Sequence, residues 1–88
     1  MNHQEIKESI VEYLCKGNPL IAQLENIPYN DSLIELGYMD SFGVIDIVTF
    51  LEGNYAIQIL DEEITKEKFG SINKMANLVV ERIEKDVG

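Results

Sequence analysis

The chain has 88 residues, 45% hydrophobic and 26% charged, with a formal net charge of −9. That length holds one small domain with a modest core, and the acidity excludes nucleic acid and anionic membrane surfaces as partners, since both demand positive charge. An acidic domain suits docking on basic patches of other proteins, although solubility alone also accounts for such a charge.

The opening, "MNHQEIKES", lacks the apolar stretch of a signal peptide, and no window approaches the ~20 apolar residues of a membrane span, so a cytoplasmic location is expected. From residue 3 to 16, Ile6, Ile10, Tyr13 and Leu14 recur at helical spacing, with Glu5, Glu8 and Glu12 mainly outside the stripe. Gly17-Asn18-Pro19 ends this helix, the glycine suiting a left-handed terminator and the proline unable to continue the turn. Cys15 is the single cysteine, so no internal disulfide is possible, and with His3 as the only histidine it reads as a free, half-buried thiol rather than a nucleophile.

Residues 18–40 form a long irregular segment. Pro28, Asn30 and Asp31 are turn formers, Leu20, Ile21, Leu24 and Ile27 are apolar anchors, and Leu20–Leu24 suits one helical turn. A loop of this length is uncommon unless it serves a function.

Residues 41–55 read as the second helix. On a helical wheel Val44, Ile47, Val48, Leu51 and Tyr55 make one core stripe, while Phe42, Ile45, Asp46 and Thr49 fall on the other side. The surplus apolar surface near the start of this helix suggests a contact surface, unless the long loop covers it. Residues 57 and 59 alternate as a strand would, but no second strand candidate exists to pair with them, so an extended link is expected. A short helix then follows Thr65 as N-cap. Ser71 caps a last helix carrying Ile72, Met75, Ala76, Val79, Val80 and Ile83. The expected fold is all-α, a small bundle of three main helices plus one short helix, with a long loop between the first and second.

Asp-Ser followed by an apolar residue occurs twice, at Asp31-Ser32-Leu33 and Asp40-Ser41-Phe42. A serine behind an aspartate at the mouth of an apolar helix is a candidate attachment point for a phosphate-linked group. Ser32 is accounted for locally: Ser32-Leu33-Ile34-Glu35 matches a capping box, and Gly37 can close the turn in a left-handed conformation. Ser41 enters the second helix directly. A phosphate on its oxygen would meet free backbone N–H groups and the positive helix end, an interaction of roughly 0.3–1 kcal/mol. Asp40 beside it is a hard oxygen ligand of the kind that helps hold Mg²⁺ in a modifying enzyme. Equally, Asp40 or Ser41 serves as a plain N-cap.

In these residues the chain resembles the acyl carrier proteins. The likeness runs over nearly the whole length: the opening helix, the long loop, "DSLIELGYMDSF", the apolar second helix and "ITKEKFGSINKMANLVVERI". Asp-Ser alone is weak, but a hydrophobic-Glu-Leu-Gly turn, then Asp-Ser, a helix, and Ile-Thr-x-Glu-x-Phe-x-Ser-Ile at this distance is specific. The resemblance implies one acyl carrier domain over residues 1–88, freestanding and monomeric, with 4′-phosphopantetheine joined to Ser41 through a phosphodiester. Asp40 would flank it for recognition by a phosphopantetheinyl transferase that uses coenzyme A and Mg²⁺. The arm's thiol would hold acyl groups as thioesters for partner enzymes of fatty-acid, polyketide or related biosynthesis. The carrier itself would catalyse nothing and bind no metal, since the chemistry lies in the arm. Loading and processing enzymes would set basic docking patches against Phe42, Ile45, Asp46 and Thr49, and against the acids Asp61, Glu62 and Glu63. Val44, Ile47, Val48, Leu51 and Tyr55, with Ile59 and Met75 nearby, would open to shelter the acyl chain, the alternative being an ordinary packed core.

The sequence departs from fatty-acid carriers in places. Tyr38 and Met39 both intervene between Gly37 and Asp40, and Phe42-Gly43 follows Ser41. On the second helix only Asp46 and Glu52 are acidic, with Gly43, Gly53 and Asn54 where acids would be expected. This pattern is closer to D-alanyl carriers and to specialised carriers of secondary-metabolite or cell-surface pathways. Gly43 would give a partner close access to the arm. Two other readings fit the same pattern: an aminoacyl or peptidyl carrier, and a helical interaction module with no prosthetic group. An enzyme fits poorly, because no histidine stands near a nucleophile, no metal ligands cluster and no glycine loop cradles a phosphate.

Overall fold

The computed structural model describes residues 2–87, and six pieces of helix account for most of them. The first, α1 (His3–Gly17), starts at Asn2, whose side chain accepts from the Glu5 amide at 2.9 Å. It buries Ile6, Ile10 and Leu14, one residue per turn. Its end differs from the expected glycine terminator. Gly17 stays helical, and Asn18 makes the stop, extended at φ −140 and ψ 103. The reason is Pro19, whose ring drives the preceding residue out of the helical region. Asn18 then serves both sides: its amide donates to the Leu14 carbonyl at 2.9 Å, and its side-chain oxygen accepts from Leu20, capping the short α2 (Pro19–Ala22).

The long loop crosses the bundle and is tied down. Ile21, Leu33 and Met39 are buried in the core, Leu24 and Ile27 are half-buried, and Leu20 is exposed. Two backbone bonds pin the loop to the start of the last helix, Leu33 N–H to the Gly70 carbonyl at 3.2 Å and Asn73 N–H to the Tyr29 carbonyl at 3.0 Å. Asn73 also donates through its side chain to Asn30.

Helix α3 (Ser41–Tyr55) buries Ile47, Val48 and Leu51 and ends at Ala56. Ala56 is the only described non-glycine residue with positive φ, at 54°. The segment after it is extended with Ile57 and Ile59 buried, and no strand forms among the described residues. The Glu52 side chain reaches forward to accept from the Ile59 amide at 2.9 Å, satisfying a donor that a sheet would otherwise pair. A 3₁₀ turn (Asp61–Glu63) follows, then α4 (Lys66–Phe69) behind the Thr65 cap, at 3.2 Å. Ser71, itself buried, caps α5 (Ile72–Val87) by accepting from the Lys74 amide at 3.2 Å. Helix α1 packs chiefly on α5, and α3 closes against both. The result is an all-helical bundle of three main helices. No helix among the described residues is long and apolar enough to cross a membrane.

Glu63 joins the 3₁₀ turn to α5. One carboxylate oxygen accepts from the Leu60 amide at 3.0 Å and the other is paired with Arg82. The amide bond, then the Arg82 pairing, holds this carboxyl below its usual range. A carboxylate lowered in the folded state stabilises fully above its unfolded value and loses that contribution as pH falls through the folded value.

Two outcomes are expected in urea unfolding. Ala56→Gly relieves a left-handed alanine, which costs roughly 1–2 kcal/mol, against about 0.5–1 kcal/mol of added glycine entropy, so the unfolding free energy should rise by about 0.5–1 kcal/mol and the midpoint should move up with it; an unchanged midpoint contradicts the strain. The destabilisation caused by Glu63→Gln should be largest at neutral pH and should shrink below about pH 4.3, the ordinary glutamate range. A deficit that stays constant into acid contradicts the lowered carboxyl.

Candidate functional site

Two fixtures deliver the chain to Ser41. The first is a single helical turn over residues 33–36, capped by Ser32, whose hydroxyl accepts from the Glu35 amide at 3.3 Å. Gly37 closes it at φ +83, with the Tyr38 amide on the Leu33 carbonyl at 2.9 Å and the Gly37 amide on the Ile34 carbonyl at 3.1 Å. These paired bonds form a Schellman end, which needs a left-handed residue and so favours glycine. The second fixture is Asn18, whose side-chain N–H donates to the Tyr38 carbonyl at 2.6 Å. The end of α1 thereby holds the backbone three residues before the start of α3.

Asp40 is the N-cap of α3. Its Oδ1 accepts from the Gly43 amide at 2.9 Å, and its carbonyl accepts from the Val44 amide at 3.0 Å. Either Asp40 or Ser41 could have taken this role on residue chemistry alone; the structure gives it to Asp40. Ser41 becomes the first helical residue, exposed, and its hydroxyl makes no hydrogen bond to another described residue. The hydroxyl of Ser32, by contrast, serves its own turn as the acceptor of the Glu35 amide.

Grooves lie on both sides of this helix start. One, of about 320 Å³, is bounded by Ser41, Ile34, Val44, Ile45, Ile64 and Phe69. The other, of about 540 Å³, runs between the end of α1 and the start of α3 and includes Tyr13, Tyr38, Met39, Asp40, Asp46 and Ile47. The seven residues expected to shelter an acyl chain are divided: Val44 borders the first groove and Ile47 the second, while Val48, Leu51, Ile59 and Met75 are packed in the core and Tyr55 lies half-buried against it. Gly43 does not stand open to a partner either. A Cβ there would sit 2.9 Å from Met39 Cγ, so the glycine makes room for Met39, which its own fold buries.

The residues expected at a partner surface also divide. Phe42 and Ile45 are exposed, as are Asp46, Thr49, Asp61 and Glu62. Thr49 bonds back to the Ile45 carbonyl at 2.9 Å. Asp46 is exposed but has a partner within the fold. It accepts from the Tyr13 hydroxyl at 2.7 Å, while the Tyr13 ring stacks on Phe50 with centroids 4.1 Å apart. That bond, with lesser help from burial and from the charge on Asp46, raises the Tyr13 phenol above its usual range. Glu63 is committed to Leu60 and Arg82, with only 14% of its side chain exposed. The Tyr13 clasp and the Glu63 bridge are not legible in the sequence, since both join residues far apart in the chain. Among the described residues, no three His, Cys, Asp or Glu side chains converge as metal ligands.

No model of a known protein family matches this chain, and no curated protein matches it either. The likeness to acyl carriers therefore rests on the chain's own residues, the Gly37 turn, Asp40-Ser41 and the segment from Ile64 to Ile72.

The division of labour between Asp40 and Ser41 is measurable. Asp40→Ala should destabilise the fold by about 1 kcal/mol, the usual loss on removing a cap, whereas Ser41→Ala should stay within about 0.5 kcal/mol of the parent. Equal losses for the two in urea unfolding contradict the assignment.

Proposed function

We propose that the protein is a carrier whose Ser41 bears 4′-phosphopantetheine and presents acyl cargo to partner enzymes. The observation that carries this reading is the uncommitted hydroxyl of Ser41 at the mouth of α3, beside an apolar groove, with the capping role taken by its neighbour. When bound, the arm supplies a thiol that holds acyl groups as thioesters.

The residues present suit such a group. The Ser41 and Phe42 amides have no partner among the described residues, so a phosphate on Ser41 lies near two donors and the positive end of a 15-residue helix. Asp40 Oδ1 is engaged, but Oδ2 has no partner among the described residues and remains available to a Mg²⁺ ion in a transferase. In attachment the Ser41 oxygen forms a new bond to the phosphorus carrying pantetheine in coenzyme A. The bond from that phosphorus to the oxygen of the adenosine bisphosphate breaks, and the hydroxyl proton goes to a base of the transferase. The nucleotide leaves and one phosphodiester remains on the chain. Because coenzyme A is the donor, the cytoplasm is the compartment in which loading fits. The groove formed by Ile34, Val44, Ile45, Ile64 and Phe69 offers apolar cover for cargo next to the attachment point.

Incubation with a phosphopantetheinyl transferase, coenzyme A and Mg²⁺ should add one phosphopantetheinyl group to the intact protein. Ser32→Ala should gain the same mass and Ser41→Ala none. An unmodified parent protein under conditions that modify a control carrier contradicts the proposal and leaves an interaction module without a prosthetic group.

A further inference from the structure

The two grooves beside Ser41 differ in chemistry. The smaller has Ser41 and Thr65 as its only polar side chains among the described residues, and no charged one. The larger, of about 540 Å³, lies across the helix start and has no role in the reading above. Leu14, Met39 and Ile47, all buried, give it an apolar floor, and Tyr13, Tyr38, Asp40 and Asp46 stand along it. A cavity of that size, apolar with a few polar groups, suits a small organic molecule.

The polar groups of this larger groove define the guest. The Tyr13 hydroxyl is given to one Asp46 oxygen, and the Asn18 side chain is shared between Leu20 and Tyr38. Three oxygens keep no partner among the described residues: Asp40 Oδ2, the second carboxylate oxygen of Asp46 and the Tyr38 hydroxyl. No lysine, arginine or histidine borders the groove, and residues 17–65 contain none. An anionic guest would be repelled. An uncharged guest with N–H or O–H donors would make hydrogen bonds to carboxylate, which are roughly twice as strong as neutral ones.

Beyond its phosphate, a pantetheine chain is such a guest. It is uncharged, with one hydroxyl and two amide N–H donors, and its two geminal methyl groups match the apolar floor. In the smaller groove those amides would lose water and find few partners, which is costly. We infer that the α1–α3 groove is the resting site of the unloaded arm, with Asp40, Asp46 and Tyr38 taking its donors and Leu14 and Ile47 its methyl groups. The inference rests on the carrier reading and adds a place for the arm between deliveries. The smaller groove is then left to apolar cargo, so loading with such cargo moves the arm from one side of α3 to the other.

The test compares amide NMR spectra before and after loading with a phosphopantetheinyl transferase, coenzyme A and Mg²⁺, the added mass being confirmed first. The Gly17, Asn18 and Ile47 amides should shift, and the arm's methyl protons should show nuclear Overhauser contacts to Leu14 or Ile47. Gly17→Leu blocks the groove, which Gly17 borders from the end of α1; a Cβ there meets nothing within 4 Å. This variant should gain the same mass, keep at least the parent's urea midpoint, since leucine is the better helix former, and lose the methyl contacts. The spectra of the parent protein decide the matter without it. Methyl contacts to Ile64 or Phe69 instead, or no contacts at all, overturn the inference while the added mass leaves the carrier standing. Contacts to Leu14 or Ile47 that survive Gly17→Leu overturn it as well. If the parent protein gains no mass, the carrier fails and takes this inference with it.

Discussion

The bond from the Gly43 amide to the Asp40 carboxylate organises this molecule's one distinctive surface. A helix start presents unpaired donors and needs an acceptor. With an aspartate and a serine side by side, either could provide it, and the choice decides what the other is free to do. Asp40 takes the cap, so Ser41 is left on the first turn with its hydroxyl facing solvent and no structural duty among the described residues. At Ser32 the opposite holds, because the serine is itself the cap and its oxygen accepts from the Glu35 amide.

That arrangement would mean little if the chain before it moved freely. It does not, because the loop is held from both sides. Leu33 is bonded to the Gly70 carbonyl, and the Tyr38 carbonyl is bonded by Asn18. Gly37 and Met39 add a left-handed turn and a buried side chain, and Gly43 leaves the space that Met39 occupies. Acidic side chains with internal partners, Asp46, Glu52 and Glu63, brace α3 and the turn after the extended link. Beside the serine, Ile34 and Ile45 stay exposed along an apolar groove. These are the features that the proposed carrier role draws on.

Much of this is readable in the residues. Periodicity locates the three main helices because their buried faces repeat at helical spacing, as Ile6, Ile10 and Leu14 do. Thr65, Ser71 and Gly37 are recognisable since capping and left-handed turns depend on local chemistry. Other features are not visible. Gly17 suits a left-handed turn, but the proline two residues on shifts the stop to Asn18, and Ala56 takes a positive φ that its side chain does not advertise. Glu63 and Asp46 look like surface acids because their partners, Arg82 and Tyr13, lie 19 and 33 residues away. The stripe on α3 gives the correct buried side, but periodicity cannot tell a packed core from one with room in it. That distinction depends on how Met75, Ile59 and the other helices meet Leu51.

The central claim is positional, and peptide mapping tests it most directly. No lysine or arginine lies between Lys16 and Lys66, so trypsin releases one peptide that carries both Ser32 and Ser41. After treatment with a phosphopantetheinyl transferase and coenzyme A, fragmentation of that peptide should show the added mass only in pieces that contain residue 41. The added mass on fragments that contain residue 32 but stop short of residue 40 would contradict the account.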